Sequence, residues 1–404
     1  MRADQPGLYL HIPFCSAICP YCDFAVMHAP AAKRTRFVEH LVAEVALAAP
    51  AWPDERPFDT VYFGGGTPSL LPAEELARVL DACRAYLKFE SPAPWLYLEA
   101  NPEDVTPDAC AAWRRLGVRT LSLGVQSFDD DALRFLGRRH TGAQARAAVE
   151  WVRAAGFDTV SIDLIFGLPG QTREAWRREL RAALSLAPDH LSCYQLTIHR
   201  RTRFGVRAAR GNLRELADGE QAELYAVTHD VLAQAGWSAY EVSNFASSPS
   251  HQSRHNRKYW NHTPYLGLGP SAHSFAVGSA ATEPGGAATG ARRWWNEARV
   301  PRWERRVAAG ARPVAGEELL GVEALATETL LLGLRTTAGV DLDDFAARFG
   351  IDLLAANDDL VARLVRKRHI VVRSGPDGRR LQPTARGLAV ADGLAASFDL
   401  PLPG

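Results

Sequence analysis

Residues 8–24 read LYLHIPFCSAICPYCDF, a short apolar run followed at once by Cys15, Cys19 and Cys22. Three thiols within eight residues form a ligand set and call for a metal. The remaining cysteines, Cys83, Cys110 and Cys193, stand singly among apolar residues and are expected as small buried hydrophobes. The spacing C-x3-C-x2-C leaves three readings open. A structural zinc site takes four ligands, usually as two pairs; His11 or His28 is the candidate fourth, and no second cysteine pair follows. An iron–sulfur cubane normally takes four cysteines, so three leave one iron open to another ligand. Disulfides belong to oxidising compartments.

Nothing in the chain points to such a compartment. MRADQPG lacks the apolar region of a secretion signal, and no run approaches the roughly 18 apolar residues of a membrane span. A cytoplasmic location with reduced thiols is expected. The 404 residues exceed what one hydrophobic core usually organises, and 47% hydrophobic with 23% charged residues is ordinary for a globular protein. The expected units are a large one over 1–245, a segment and linker over 246–316, and a small C-terminal one over 317–404. Forty-six basic residues balance 46 acidic ones, so the composition carries no sign of a nucleic-acid binder.

From the cysteine loop onward, short apolar runs alternate with amphipathic stretches. GLYLHIP (7–13) reads as a strand and 33–48 as a helix, with Phe37, Leu41 and Val45 at helical spacing. Strands are expected at TVYFGGG, WLYLEAN (95–101), RTLSLGVQ (119–126), DTVSIDLIFG (158–167) and HLSCYQLTI (190–198). Between them fall helices over 73–87, 107–116, 130–155 and 173–186. Strand and helix alternating six times imply parallel strands with crossover helices, and the runs look too apolar for a sheet open to water on one face. A complete or partial (β/α) barrel puts its chemistry at the C-terminal ends of its strands. There stand the cysteine loop, GGGTPS (64–69), Glu99 with Asn101, Gln126, Asp163 and Thr197. The triple glycine has neither the G-x-G-x-x-G spacing nor a P-loop Lys; it implies close backbone approach to something small.

The second half reads differently. Residues 200–215 are arginine-rich and expected as a loop, followed by a helix over 217–235 and a short strand, SAYEVSNFA. The stretch 253–275, dense in His, Arg, Tyr, Trp and Gly, does not read as core, and 276–290 is Gly/Ala-rich and expected to be flexible. Helices over 317–333, 342–349 and 353–367, a hairpin around Pro376-Asp377-Gly378 and a last helix to 396 suggest a winged-helix-like module. Arg366, Lys367 and Arg368 are its basic run; packing rather than nucleic-acid contact is the expected role.

These residues together carry a resemblance. C-x3-C-x2-C with Tyr21 before the last cysteine, followed by GGGTP, resembles the radical S-adenosylmethionine (SAM) superfamily. HIPFC, YFGGGTPS, GVQSF, SIDLIFGLPGQ and GPSAHS are similar to the group that contains oxygen-independent coproporphyrinogen III oxidase and its sister haem chaperones. The resemblance covers nearly the whole chain. It implies a partial (β/α)6 TIM-like barrel with a smaller C-terminal α+β winged-helix-like domain, and a [4Fe-4S] cluster on Cys15, Cys19 and Cys22. SAM would chelate the fourth iron and be surrounded by Tyr9, Gly65, Gly66, Thr67, Glu99, Gln126, Arg138, Asp163 and Thr197. Such a cluster can pass one electron to the sulfonium.

Two departures separate this chain from the oxidase. The oxidase carries a further cysteine two residues after the third, where Phe24 stands here, and a longer segment before the cluster. HNRKYW (255–260) matches the H-N-x-x-Y-W motif that the chaperone group uses for haem, with His255 as axial iron ligand and Tyr259 and Trp260 as flat faces for the macrocycle. Arg254, Arg257 and Lys258 would meet the propionates. His251, His262 and His273 are alternative ligands nearby. The bland reading is a loop docked on the barrel mouth, with His255 merely hydrogen-bonded. The resemblance thus implies a non-enzymatic chaperone with cluster, SAM and haem as cofactors. It would deliver haem to apo-haemoproteins, including membrane-bound respiratory enzymes, acting from the cytoplasm at the membrane surface as a monomer or dimer. The alternatives are radical decarboxylation of coproporphyrinogen III and radical modification of RNA.

Overall fold

The computed structural model describes residues 5–91, 93–278, 290–376 and 378–401. Six strands, β1 (Gly7–Ile12), β2 (Thr60–Gly65), β3 (Trp95–Ala100), β4 (Val118–Gln126), β5 (Thr159–Phe166) and β6 (His190–Gln195), pair in parallel in chain order. The intervening helices are α1 (Ala31–Ala48), α2 (Ala73–Tyr86), α3 (Pro107–Leu116), α4 (Asp130–Phe135), α5 (Gly142–Ala154) and α6 (Arg173–Ser185). Thr106, Asp129, Thr141 and Thr172 cap four of them, Thr141 in a reciprocal box with Gln144.

The strands are not uniformly apolar; they alternate. Leu8, Leu10, Val61 and Phe63 join Phe37 and Leu41 of α1 and Leu76 and Val79 of α2 in one core between sheet and helices. The other face carries polar and aromatic side chains in register: Tyr9 beside Tyr62 beside Tyr97, then Glu99 beside Ser122 and Asp163 beside Ser192. That polar face is shielded by the curvature of the sheet, which is why half of each strand can be hydrophilic in a buried parallel sheet. Cys83, Cys110 and Cys193 lie in the outer core, as small hydrophobes.

Among the described residues the sheet does not close. Beyond β6 it continues antiparallel into β7 (Ser238–Ala239) and β8 (Asn244–Ala246), with β8 against β6; beyond β1 it runs into β9 (Tyr265–Leu268), β10 (His273–Val277), β11 (Ala291–Asn296) and β12 (Val314–Leu320). Strand β9 is parallel to β1 and the others antiparallel, giving twelve strands among the described residues. Residues 253–275, expected outside the core, therefore contribute buried Leu266, Leu268 and Phe275. SAYEVSNFA is two short paired strands rather than one.

Residues 200–215 are not all loop. Helix α7 (Arg203–Ala209) is capped by Thr202, and the buried Phe204 anchors it although arginines surround it in sequence. After α8 (Asp218–Gln234) and the strands above come α9 (Arg254–Trp260) and α10 (Val300–Ala308). Strand β12 occupies the first residues of the helix expected over 317–333; the helix proper is α11 (Val322–Gly333). The remainder is β13 (Val340–Asp341), α12 (Leu342–Phe349), α13 (Asp358–Arg366), the hairpin β14 (Ile370–Gly375) and β15 (Gly378–Pro383), and two short helices, α14 (Ala385–Leu388) and α15 (Ala391–Ala395), in place of one. Sheet order β13-β15-β14 with the packed helices is the winged-helix-like arrangement. Its core includes Phe275 and Ala291 of the large sheet, so packing is continuous across the expected boundary near 316. Residues 279–289 of the stretch expected to be flexible, and Asp377 in the hairpin, lie outside the described residues.

Candidate functional site

The cysteine loop leaves the C-terminal end of β1 and is stitched to the next strand. Cys15 N–H donates to Met27 O at 3.0 Å, and Met27 N–H to Pro13 O at 2.7 Å. Gly66 N–H donates to Ile12 O at 2.8 Å and Thr67 N–H to Phe14 O at 2.7 Å. A Cβ on Gly66 would stand 2.6 Å from Phe14 O, and Gly65 has φ +111°. The glycines thus serve close approach, as expected, but to the backbone of the cysteine loop itself. Helix α7 props the other side: Phe204 N–H donates to Pro20 O at 2.8 Å, and the Phe204 ring lies 6.4 Å from Tyr21.

Cys15, Cys19 and Cys22, all half-buried, line a cavity of about 420 Å³ at the C-terminal ends of the strands. Gly65, Gly66, Thr67, Glu99, Gln126, Arg138, Asp163 and Thr197 line the same space. Thr197 lies in the loop after β6, because the strand ends at Gln195. Tyr9 does not reach the cavity; its hydroxyl meets His11 Nδ1 at 3.1 Å below the floor. Asn101, which the sequence places on this rim without a role of its own, organises the thiol side. Its Nδ2 donates to Thr67 Oγ1 at 3.0 Å and its Oδ1 accepts from Arg138 Nη2 at 2.6 Å. Thr67 then donates to Cys15 Sγ at 3.6 Å and Arg138 Nη1 to Cys19 Sγ at 3.5 Å.

Donors aimed at sulfur stabilise thiolate, the form that binds iron. Burial first, with the neighbouring thiols, pushes the Cys15 thiol up to about 11 against the Thr67 hydroxyl and Arg138, and burial raises Cys22, so metal loading must release protons. Burial likewise pushes Glu99 up to about 7, against the Tyr62 hydroxyl (2.8 Å) and Gly65 N–H (3.1 Å) that favour its anion. Asp163 is pushed up to about 6 by burial, against Ser192 and Ser122. Two buried carboxyls in one wall can, once ionised, accept from a cation or from hydroxyls. Gln126 Oε1 and Arg138 Nε are buried in the cavity wall without partners, and Gln126 holds φ 67°, a strained conformation for a side-chain-bearing residue. Acceptors, an unpaired guanidinium nitrogen and a thiol trio fit SAM beside a cluster. Arg138, whose Nη2 is committed to Asn101 and Gly124 O, does not present an open fork to a carboxylate. Zinc fits less well: His11 bonds Tyr9 and Ala25 O through its two nitrogens and His28 is exposed. Among the described residues no three His, Cys, Asp or Glu side chains converge to hold a single ion.

His255, Tyr259 and Trp260 are not brought to this cavity. They lie on α9 at the N-terminal ends of the strands, across the opposite end of the barrel. His255 is 1% exposed. Its Nδ1 pairs with Thr60 Oγ1 at 2.9 Å and its Nε2 with Tyr259 Oη at 3.0 Å. Burial, with Lys258 nearby, pulls its pKa down to about 3, so the ring is neutral. Lys258 Nζ sits 2.7 Å from Asp59 and donates to Gln5 O at 2.6 Å, and Arg254 N–H donates to Tyr97 Oη at 3.0 Å. The guanidinium of Arg335 lies 5.9 Å from the Trp260 ring, and Glu328 of α11 takes His262 at 3.3 Å. The bland reading of this segment therefore describes the arrangement in the structure, at the far end rather than the mouth. In that arrangement neither nitrogen of His255 is open to iron.

Residues 9–183 match the Radical SAM superfamily model and 322–390 the HemN C-terminal domain. The chain is similar to the Heme chaperone HemW of Mycobacterium tuberculosis, 36% identical over 399 residues, covering 98% of this chain and 95% of that protein. It is similar also to the Heme chaperone HemW of Lactococcus lactis, 32% identical over 398 residues and 98% of each. Among solved structures, coproporphyrinogen III oxidase (HemN) from Escherichia coli superposes with a TM-score of 0.79 over 99% of this chain and 91% of that chain. At 22% identity that likeness is one of fold. Radical SAM proteins hold a [4Fe-4S] cluster and SAM, which suits the thiol-lined cavity. By motifs, architecture and end-to-end likeness, the chain belongs to the heme chaperone HemW family of the radical SAM superfamily.

Proposed function

We propose that the chain is a haem chaperone. It binds haem through the 255–260 segment, holds a cluster on Cys15, Cys19 and Cys22 with SAM in the adjoining cavity, and hands haem to apo-haemoproteins, those of the respiratory chain included. It acts from the cytoplasm. Among the described residues no helix is long and apolar enough to cross a membrane, so delivery to membrane-bound recipients would be made from the surface. What carries the reading is the second station. A His-aromatic-basic hexapeptide lies away from the cofactor cavity, neutral at its imidazole and flanked by cationic side chains. The relatives named Heme chaperone HemW support the same assignment.

Each group has a task that follows from its surroundings. The Thr67 hydroxyl and the Arg138 guanidinium stabilise thiolates, Asn101 holds both donors in line, and Glu99 and Asp163 receive the cationic and hydroxyl-bearing parts of SAM. When bound, a cluster with one open iron supplies an electron at the sulfonium. Haem reaches His255 after the imidazole leaves Thr60 and Tyr259. In the oxidase reading the same cavity would act on coproporphyrinogen III; the exposed Phe24 at position 24, in place of a further cysteine, speaks against it.

The test is haem uptake and transfer to an apo-haemoprotein, comparing wild type with His255→Ala. Loss of both in the variant is expected. Equal uptake and transfer would remove the segment from the account. Conversion of coproporphyrinogen III to protoporphyrinogen at a catalytic rate, anaerobically with reductant and SAM, would replace the chaperone reading by the oxidase one.

A further inference from the structure

Between the cavity and the docked 251–260 segment lies the barrel interior, and two rows of side chains cross it. The first begins at the cavity floor. Glu99 accepts from Gly65 N–H and from the Tyr62 hydroxyl. The Tyr62 ring lies 5.1 Å from the ring of His255 and stacks at 5.4 Å on Tyr97, whose hydroxyl holds the Arg254 amide. The second begins in the cysteine loop. Ala25 O must accept, so His11 Nε2 carries the proton at 3.1 Å and Nδ1 accepts from the Tyr9 hydroxyl. The Tyr9 ring lies 6.1 Å from Tyr62 and 6.5 Å from His255. Both rows end on one imidazole, whose own hydrogen bonds hold the segment down.

We propose that the SAM cavity and the cysteine loop control the docking of residues 251–260 through Glu99–Tyr62 and Ala25–His11–Tyr9, with SAM favouring the docked, haem-excluding state. The proposal rests on the functional reading above. A cation held by Glu99 fixes the carboxylate and, with it, the hydroxyl and ring orientation of Tyr62. A fixed Tyr62–Tyr97 stack is the surface against which His255 docks. Haem, which needs that imidazole released, is then opposed by SAM, and by linkage SAM is opposed by haem to the same factor. Coupling of this kind is read on the two-state element itself, here the segment.

Hydrogen exchange of the amides of residues 254–260 in the cluster-loaded full-length chain, without haem, reads docking directly, and labelled SAM measures occupancy in parallel. SAM at saturation is expected to slow exchange there by about 5-fold or more. Tyr62→Phe, which keeps the ring and removes the hydroxyl, is expected to abolish the slowing at equal SAM occupancy. Should that variant not fold, Tyr9→Phe tests the second row: cluster loading is expected to change exchange of the same amides in wild type, and Tyr9→Phe to abolish that change. SAM uptake with unchanged exchange, or full slowing in Tyr62→Phe, overturns the coupling and leaves the cavity reading intact. No SAM uptake by the loaded wild type overturns both. A coupling that holds while His255→Ala still takes up haem normally removes the haem reading alone.

Discussion

Glu99, the proposed acceptor for the cationic part of SAM, lines the cavity with its carboxyl pushed up to about 7, by burial first. The free site therefore holds a proton near neutrality that a cationic ligand must displace. The sign follows: SAM affinity is full above about pH 7–8 and falls as pH drops through the carboxyl's range, until the site is protonated. Titration calorimetry of the cluster-loaded chain between pH 6 and 8 checks this. Glu99→Gln should flatten the profile and weaken binding by roughly 10- to 100-fold, the worth of a charge-assisted hydrogen bond. Gly66 makes a different demand. A methyl there meets Phe14 O at 2.6 Å and Ile12 O at 3.0 Å, both backbone. Gly66→Ala should cost about 1–3 kcal/mol and lower iron incorporation on reconstitution, read by melting and by iron content. The glycine triplet, the thiols, Glu99, Gln126 and Asp163 were legible because each lies late in a strand or just after one, on one rim. Asn101 stands on the same rim in the sequence, but its role was not legible, because it depends on two partners, Thr67 and Arg138, that lie far from it in sequence.

At the scale of elements, α9 is held by a buried ion pair, Lys258 with Asp59, whose side chains are 4% and 9% exposed. Breaking such a pair costs about 3–5 kcal/mol if the survivor stays buried, so a short helix escapes the cost by undocking. Asp59→Asn should leave the cysteine cavity assembled and expose residues 249–262 to limited proteolysis; an unchanged cleavage pattern would count against the pair as the latch. The six parallel strands and their helices could be read from periodicity within a few residues. What could not be read were elements whose burial comes from afar. Helix α7 has one deeply buried ring, Phe204, in an arginine-rich stretch, and β9 to β11 have buried faces only because they extend an existing sheet. The interior alternation was also missed, since tyrosines within apolar runs look like core until register stacks Tyr9, Tyr62 and Tyr97 in one layer.

Across the whole molecule, Glu44 fastens the sheet extension to the first helix. It is 1% exposed and accepts from Gly269 N–H at 2.8 Å, Trp303 Nε1 at 2.9 Å and Asn296 Nδ2 at 2.6 Å. Glu44→Gln would turn one acceptor into a donor facing those donors. A loss of about 1–3 kcal/mol is expected, with a lower melting temperature as the readout. The segment that carries α9 is anchored at both ends in the same sheet, through β8 beside β6 and β9 beside β1. Its release is therefore the opening of a closed loop, and its return is unimolecular. Recapture does not slow on dilution, since a tethered segment sees its own seat at a fixed effective concentration. On the proposed function, a load carried there would compete with re-docking at a rate set by the chain alone, and the lifetime of the open state would act as an internal timer on handover.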